Sequence, residues 1–272
     1  MAFTLPLRFY TEDKNMQRRN FLIAAAALPI GVSLPATLLS AESTSLTLAI
    51  NRTGRCRMLS QRAVKAYGLV VMKMSAAKWQ GVLDTCAVDI RGALEEVDRA
   101  NRGRSFASAK NEFSSQVLPF LSLLNRAPEL AKLGEVTAAS DKMLTAANTM
   151  TDLLEAESRS TLTTAVNKAG RQRMLSQRMA RNYVLLEAKL PGENFKASIE
   201  RDRMAFAEAQ TQLAAAPMNS AEIKAALEKS SKIWASFWSA TTQPGGSEAV
   251  ASQSETLLGE LDLLTQLYAK LG

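Results

Sequence analysis

Six residues have the types and spacing to hold a small anion: Gly54, Arg57 and Arg62, and 116 residues further on Gly170, Arg173 and Arg178. They sit in one motif written twice. The first copy runs Asn51-Arg-Thr-Gly54-Arg-Cys-Arg57-Met-Leu-Ser-Gln61-Arg62, and the second Asn167-Lys-Ala-Gly170-Arg-Gln-Arg173-Met-Leu-Ser-Gln177-Arg178. From Ala49 to Tyr67, 11 of 19 positions equal their counterparts in Ala165 to Tyr183, so the chain repeats one supersecondary unit. Arginine offers a rigid, always-charged fork of donors that matches a planar oxyanion. Glycine in mid-helix costs about 1 kcal/mol relative to alanine, so its presence in both copies signals close approach of a helix or a ligand. Asn51, Gln61, Asn167 and Gln177 are candidates for a supporting polar shell.

Each copy carries five Lys or Arg and no acid, and neither 43–83 nor 158–186 contains Asp or Glu. The whole chain has a formal charge of +7. The two copies hold ten of its cations, so the rest of the chain is acidic on balance and the positive charge is focused in two stripes. Arg55, Lys65, Arg171 and Arg181 read as solvent or rim charges, and Met58, Leu59, Met174 and Leu175 as packing. Tyr67 and Tyr183 stand open between core and site, while Trp79, Trp234 and Trp238 read as core or helix-end anchors. There is no histidine, which excludes histidine general bases, most hydrolytic triads and the commonest zinc sites. No nucleophile–base pair or metal cluster is visible, so the chain reads as no enzyme and needing no cofactor or metal. Short stripes and export both argue against nucleic acid as a partner.

Residues 1–41 read as an export address. Arg18-Arg19-Asn20-Phe21-Leu22 is a twin-arginine core, followed by an apolar run from Phe21 to Val32 and a cut site after Ala41. The expected setting is the periplasm. There the two cysteines, Cys56 and Cys86, have to be considered as a disulfide. A hairpin turn near 76–80 would place them about 15–21 Å out of step, so separate buried thiols are expected.

Proline and glycine breaks divide the remainder into two repeats, 42–157 and 158–272, each with four helices rich in Ala, Leu, Glu, Lys and Gln. The expected spans are 43–77, 82–101, 105–126 and 133–156, then 159–190, 194–215, 220–240 and 247–270. Short connections make an all-α fold of two tandem up-down four-helix bundles. Pro128 aligns with Pro244 at the same spacing of 116, and Pro119 predicts a kink or break in the third helix. A helical wheel of the first helix puts Leu48, Leu59, Ala63, Ala66 and Val70 on the stripe facing its own bundle. Gly54, Arg57, Met58, Gln61 and Lys65 lie opposite, with Arg62 on the flank. If the chain turns at 157–160, both motif helices start at the same end and pair within one chain. If one helix runs from 135 to 190, pairing falls to a second molecule.

The motif N-x-x-G-R-x-R-M-L-S-Q-R closely resembles the first-helix signature of the sensor domain of type IV pilus chemotaxis transducers. It is also similar to the corresponding box of nitrate/nitrite sensor histidine kinases. The resemblance is strong over 49–67 and 165–183. It implies a periplasmic four-helix sensor domain whose first helix pairs with another copy, binding nitrate between them. Carried over, the contact glycine is Gly54 and Gly170, the first anion-binding arginine Arg57 and Arg173, and the second Arg62 and Arg178. The kinases read Met-Gln-Ser where this chain has Met58-Leu59-Ser60 and Met174-Leu175-Ser176, which is the pilus-transducer wording. The expected function is binding or sensing of a small oxyanion, nitrate or nitrite, in signal transduction or chemotaxis with a separate membrane sensor, chemoreceptor or transporter. The alternative is a non-enzymatic adaptor whose motif helix docks on such a partner.

Overall fold

The computed structural model describes residues 36–100 and 106–271. The described part is all α: α1 (Ala36–Val71), α2 (Ala76–Ala100), α3 (Ala107–Leu124), α4 (Leu133–Ser158), α5 (Thr161–Glu187), α6 (Phe195–Ala214), α7 (Ala221–Thr241) and α8 (Ser247–Ala269). A 3-10 turn at Leu130–Lys132 leads into α4. None of these helices is long and apolar enough to cross a membrane. The twin-arginine core lies outside the described residues, and α1 passes through the expected cut site at Ala41.

Two hairpin turns depart from the expected spans. α1 stops at Val71 and α2 starts at Ala76, about six residues earlier than expected. The stop is a Schellman cap in which Met74 N donates to Leu69 O (2.9 Å) and Lys73 N to Val70 O (3.0 Å), with Lys73 left-handed at φ 60°. The same cap closes α5: Leu190 N donates to Leu185 O (3.1 Å), Lys189 N to Leu186 O (3.0 Å), and Lys189 has φ 57°. Lysine rather than glycine takes the left-handed position in both copies, so no composition signal marked it. Gly81 lies inside α2 and marks no break. Pro119 neither breaks nor ends α3, which runs on to Leu124; only the Ser115 carbonyl loses its helical donor.

α4 ends at the left-handed residue Arg159 (φ 48°), and Ser160 caps α5 by accepting from Leu162 N (3.2 Å). The chain therefore turns at 159–160, and the continuous helix from 135 to 190 does not form. α1, α2, α3 and α4 pack as sequential neighbours, with α4 returning to α1. α5 to α8 repeat the arrangement, compatible with two tandem four-helix bundles. α1 lies along α5 in parallel, so that Gly68 meets Val184 directly: a Cβ at Gly68 would come 2.6 Å from Val184 Cγ1. Through this seam Ala36–Gly272 forms one compact unit.

The core stripe holds at Leu59, Ala63 and Ala66, with Val70 packed at its edge. Leu48 does not follow it: it is 40 % exposed, because that end of α1 is buried through Leu46, Ala49 and Ile50 instead. Cys56 and Cys86 are separate buried thiols, and burial pushes Cys86 up to about 11. Tyr67 and Tyr183 resolve as loop anchors. Tyr67 Oη accepts from Glu129 N (2.8 Å) and donates to Glu129 O (3.2 Å). Tyr183 Oη accepts from Gly246 N (3.1 Å) and donates to Gln243 O.

Candidate functional site

The seam between α1 and α5 carries the motif from both copies. Arg57 and Arg173 cross it reciprocally. Arg57 Nη2 donates to Asn167 Oδ1 (2.7 Å), and Arg173 Nη2 donates to Asn51 Oδ1 (2.8 Å). Both guanidinium groups are almost wholly buried, at 2 % exposure each. They lie over the two glycines: a Cβ at Gly54 would stand 3.1 Å from Arg57 Nη2 and 3.9 Å from Arg173 Nη2, and one at Gly170 would stand 3.3 Å and 3.5 Å from Arg173 Nη2 and Arg57 Nη2. The glycines thus make room for arginine heads rather than for helix backbone. Two like charges held side by side in a buried seam repel.

The arginine pair is not symmetric in charge. Arg173 Nη1 binds Asp262 Oδ1 at 2.6 Å. Arg57 Nη1 faces only the amide Asn148 Oδ1, at 3.4 Å, and no carboxylate among the described residues lies within ion-pair distance of it. Burial first, then Arg173, press the Arg57 pKa down; Asp152 and Glu155 oppose this from further off. Glu155 also accepts from Asn167 Nδ2, which orients the Asn167 oxygen toward Arg57. Nε of both Arg57 and Arg173 is buried without an acceptor, an unsatisfied state that buried donors rarely keep. A cavity of about 290 Å³, lined by Asn51, Arg52, Arg55, Arg173, Asp262 and Gln266, reaches Arg173.

About two turns further along, a second polar layer crosses the seam. Lys65 Nζ donates to Gln177 Oε1 (2.7 Å), Ser254 Oγ (2.7 Å) and Glu255 Oε1 (2.6 Å), and is fully buried. Its counterpart Arg181 donates to Gln61 Oε1 (2.7 Å) and to Asp141. These cations are not rim charges, as their residue type had suggested. The wheel had already placed Lys65 on the seam face. Gln61 and Gln177 are likewise buried. Arg55 and Arg171 do stay exposed, and Arg55 pairs with Asp89 at 2.9 Å.

Arg62 and Arg178 are drawn away from the arginine pair. Glu255 holds Arg62 through Nη2 (2.6 Å) and Nε (3.1 Å), and Asp202 holds Arg178 through Nε (2.8 Å) and Nη2. Burial opposes the charge on Glu255, but Lys65 and Arg62 outweigh it and hold the carboxylate at about 2. Of the cations in the two motifs, Arg62, Lys65, Arg173, Arg178 and Arg181 all gain a carboxylate from α4, α6 or α8. The acid-free stretches hid this, since every partner comes from another helix.

Sequence reading missed Asn148, Asp141, Glu255 and Asp262. They sit in equivalent places: Ser140, Asp141, Asn148 and Thr151 on α4 match Ser254, Glu255, Asp262 and Thr265 on α8, at a spacing of 114 rather than 116. Thr151 and Thr265 make the same hydrogen bond to the carbonyl four residues back, at 2.7 Å in both. The signal was a serine, an acid, an amide or acid, and a threonine at identical internal spacing in both halves. The fixed 116-residue register, taken from the motif and shared by Pro128 and Pro244, obscured it. Among the described residues no cluster of three His, Cys, Asp or Glu side chains could hold a metal ion. Comparison of the chain with family models, curated proteins and solved structures gave no match.

Proposed function

We propose that this chain binds a small planar oxyanion, nitrate or nitrite, between Arg57 and Arg173 in the periplasm, and acts with a separate membrane sensor, chemoreceptor or transporter. One observation carries the reading: two buried arginines meet across the seam, and Arg57 has only neutral amides for partners. An anion between the guanidinium groups relieves their mutual repulsion and supplies acceptors for the two orphaned Nε–H donors. Two amide contacts leave most of the five donors of Arg57 open to a ligand. Gly54 and Gly170 leave the room in which both heads lie. Arg62 and Arg178 then serve as structural ion pairs that frame the seam, not as ligands. The motif's likeness to pilus-transducer and nitrate-sensor domains points to the same anion class.

A ligand that binds only the folded state stabilises it by about 2.7 kcal/mol at a hundredfold excess over its Kd. Thermal melts of the protein with nitrate, nitrite, sulfate and chloride at fixed ionic strength test the proposal. Nitrate or nitrite should raise Tm well beyond chloride. Equal small shifts for every salt would refute it.

A further inference from the structure

The two arginines occupy equivalent positions, yet their equivalent partners differ by one charge. Asn148 on α4 stands to Arg57 as Asp262 on α8 stands to Arg173. The two buried guanidinium cations therefore have one contacting carboxylate between them, the partly exposed Asp262 on Arg173, an excess of one positive charge among the contacting groups. Other charges flank the pair at longer range: Asp152 and Glu155 attract Arg57, while Arg171 repels it. Of these, Asp152 and Arg171 are exposed and screened by water, whereas Glu155 is half-buried and reaches Arg57 only through the Asn167 amide. Charge balance at the low-dielectric centre is governed by the contacting groups.

From this asymmetry we infer that the Asn148/Asp262 difference sets the charge class of the ligand, admitting a singly charged oxyanion and disfavouring a doubly charged one. The inference rests on the proposed anion site and assigns its selectivity to a pair of residues outside the repeated motif. A monoanion brings the centre to neutrality. A dianion of similar size leaves one negative charge in excess, and its second charge lies close to the Asp262 carboxylate, which cannot retreat without releasing Arg173. Discrimination here comes from a repulsive group built against the wrong ligand, not from an extra contact to the right one.

Exchange of amide and carboxylate tests this with side chains of nearly equal shape. Nitrate and sulfate are titrated calorimetrically, at fixed ionic strength, into the full chain and the variants Asp262→Asn, Asn148→Asp and the double swap. Asp262→Asn raises the centre to two excess charges, and the sulfate-to-nitrate affinity ratio should rise by about tenfold or more. Asn148→Asp gives Arg57 its own carboxylate, and nitrate affinity should fall by about tenfold or more. The double swap moves the carboxylate to the other arginine without changing the count, so nitrate preference should return. Wild-type binding of nitrate with a sulfate-to-nitrate ratio unmoved in Asp262→Asn, or no recovery in the double swap, overturns the inference and leaves the anion site standing. Absence of binding by either anion to wild type removes both. Should Asp262→Asn fail to fold, the loss in Asn148→Asp and its recovery in the double swap decide the matter by themselves.

Discussion

A side chain at Gly54 would begin 3.1 Å from Nη2 of Arg57, three residues further along the same helix. The glycine is thus the floor on which the guanidinium lies. Gly54→Ala gains helix propensity worth about 1 kcal/mol while forcing the arginine head to shift by a few tenths of an ångström. We expect Tm without ligand to stay level or rise slightly, and the nitrate-induced rise in Tm to fall by about half or more. Melts with and without nitrate read both quantities.

Arg57→Met separates binding from folding. The substitution removes a buried cation that has no carboxylate in contact and keeps most of the side-chain volume. Replacing buried charge by a well-packed apolar group is often neutral or stabilising. Ligand-free stability in urea should therefore change by no more than about 1 kcal/mol in either direction, and the nitrate response should vanish. Lys65→Met is the contrast. It strips the partly buried Glu255 of one of its two cations, the fully buried one, and a cost of about 3 kcal/mol is expected.

Tyr67→Phe and Tyr183→Phe each delete the hydroxyl that closes a loop onto a motif helix. Each variant should lose about 1–3 kcal/mol, because a partly buried amide and carbonyl lose their partner together. Hydrogen exchange should quicken at Glu129 in the first variant and at Gly246 in the second, with little change at the other loop.

Glu255 gives the pH dependence a sign. Its folded value of about 2 lies below the ordinary 4.5. The stability it contributes is therefore complete above about pH 4.5 and is lost as pH falls toward 2. With screening at its quarter-exposed side chain allowed for, the loss is on the order of 2 kcal/mol. Glu255→Gln should be less stable than wild type at neutral pH and should flatten the acid limb of a urea-unfolding profile between these two values.

What the sequence disclosed and what it hid follow from range. The repeat and its wheel were sufficient to place Arg57, Gln61 and Lys65 on the seam, because the 3.6-residue period is a local property. Lys65 and Arg181 were still read as surface charges, since a lysine or arginine is rarely buried unless paired, and their carboxylates lie on α8 and α4. The early stop of α1 was hidden for another reason. Lys73 and Lys189 take a left-handed conformation usually left to glycine, and the hydrogen bonds that hold them there leave no mark in composition. The arginine fold-back onto Gly54 and Gly170 was foreshadowed by the glycines themselves, although whether they met a helix, a ligand or a side chain required coordinates.

The turn at Arg159 and Ser160 joins the two halves covalently, and this has an evolutionary corollary. Identical subunits meeting on a twofold axis must present the same residue from both sides, so any change is made twice. A single polypeptide carrying both halves escapes that constraint. It can keep an amide on one flank and an acid on the other, which no homodimer encoded by one unduplicated gene can achieve.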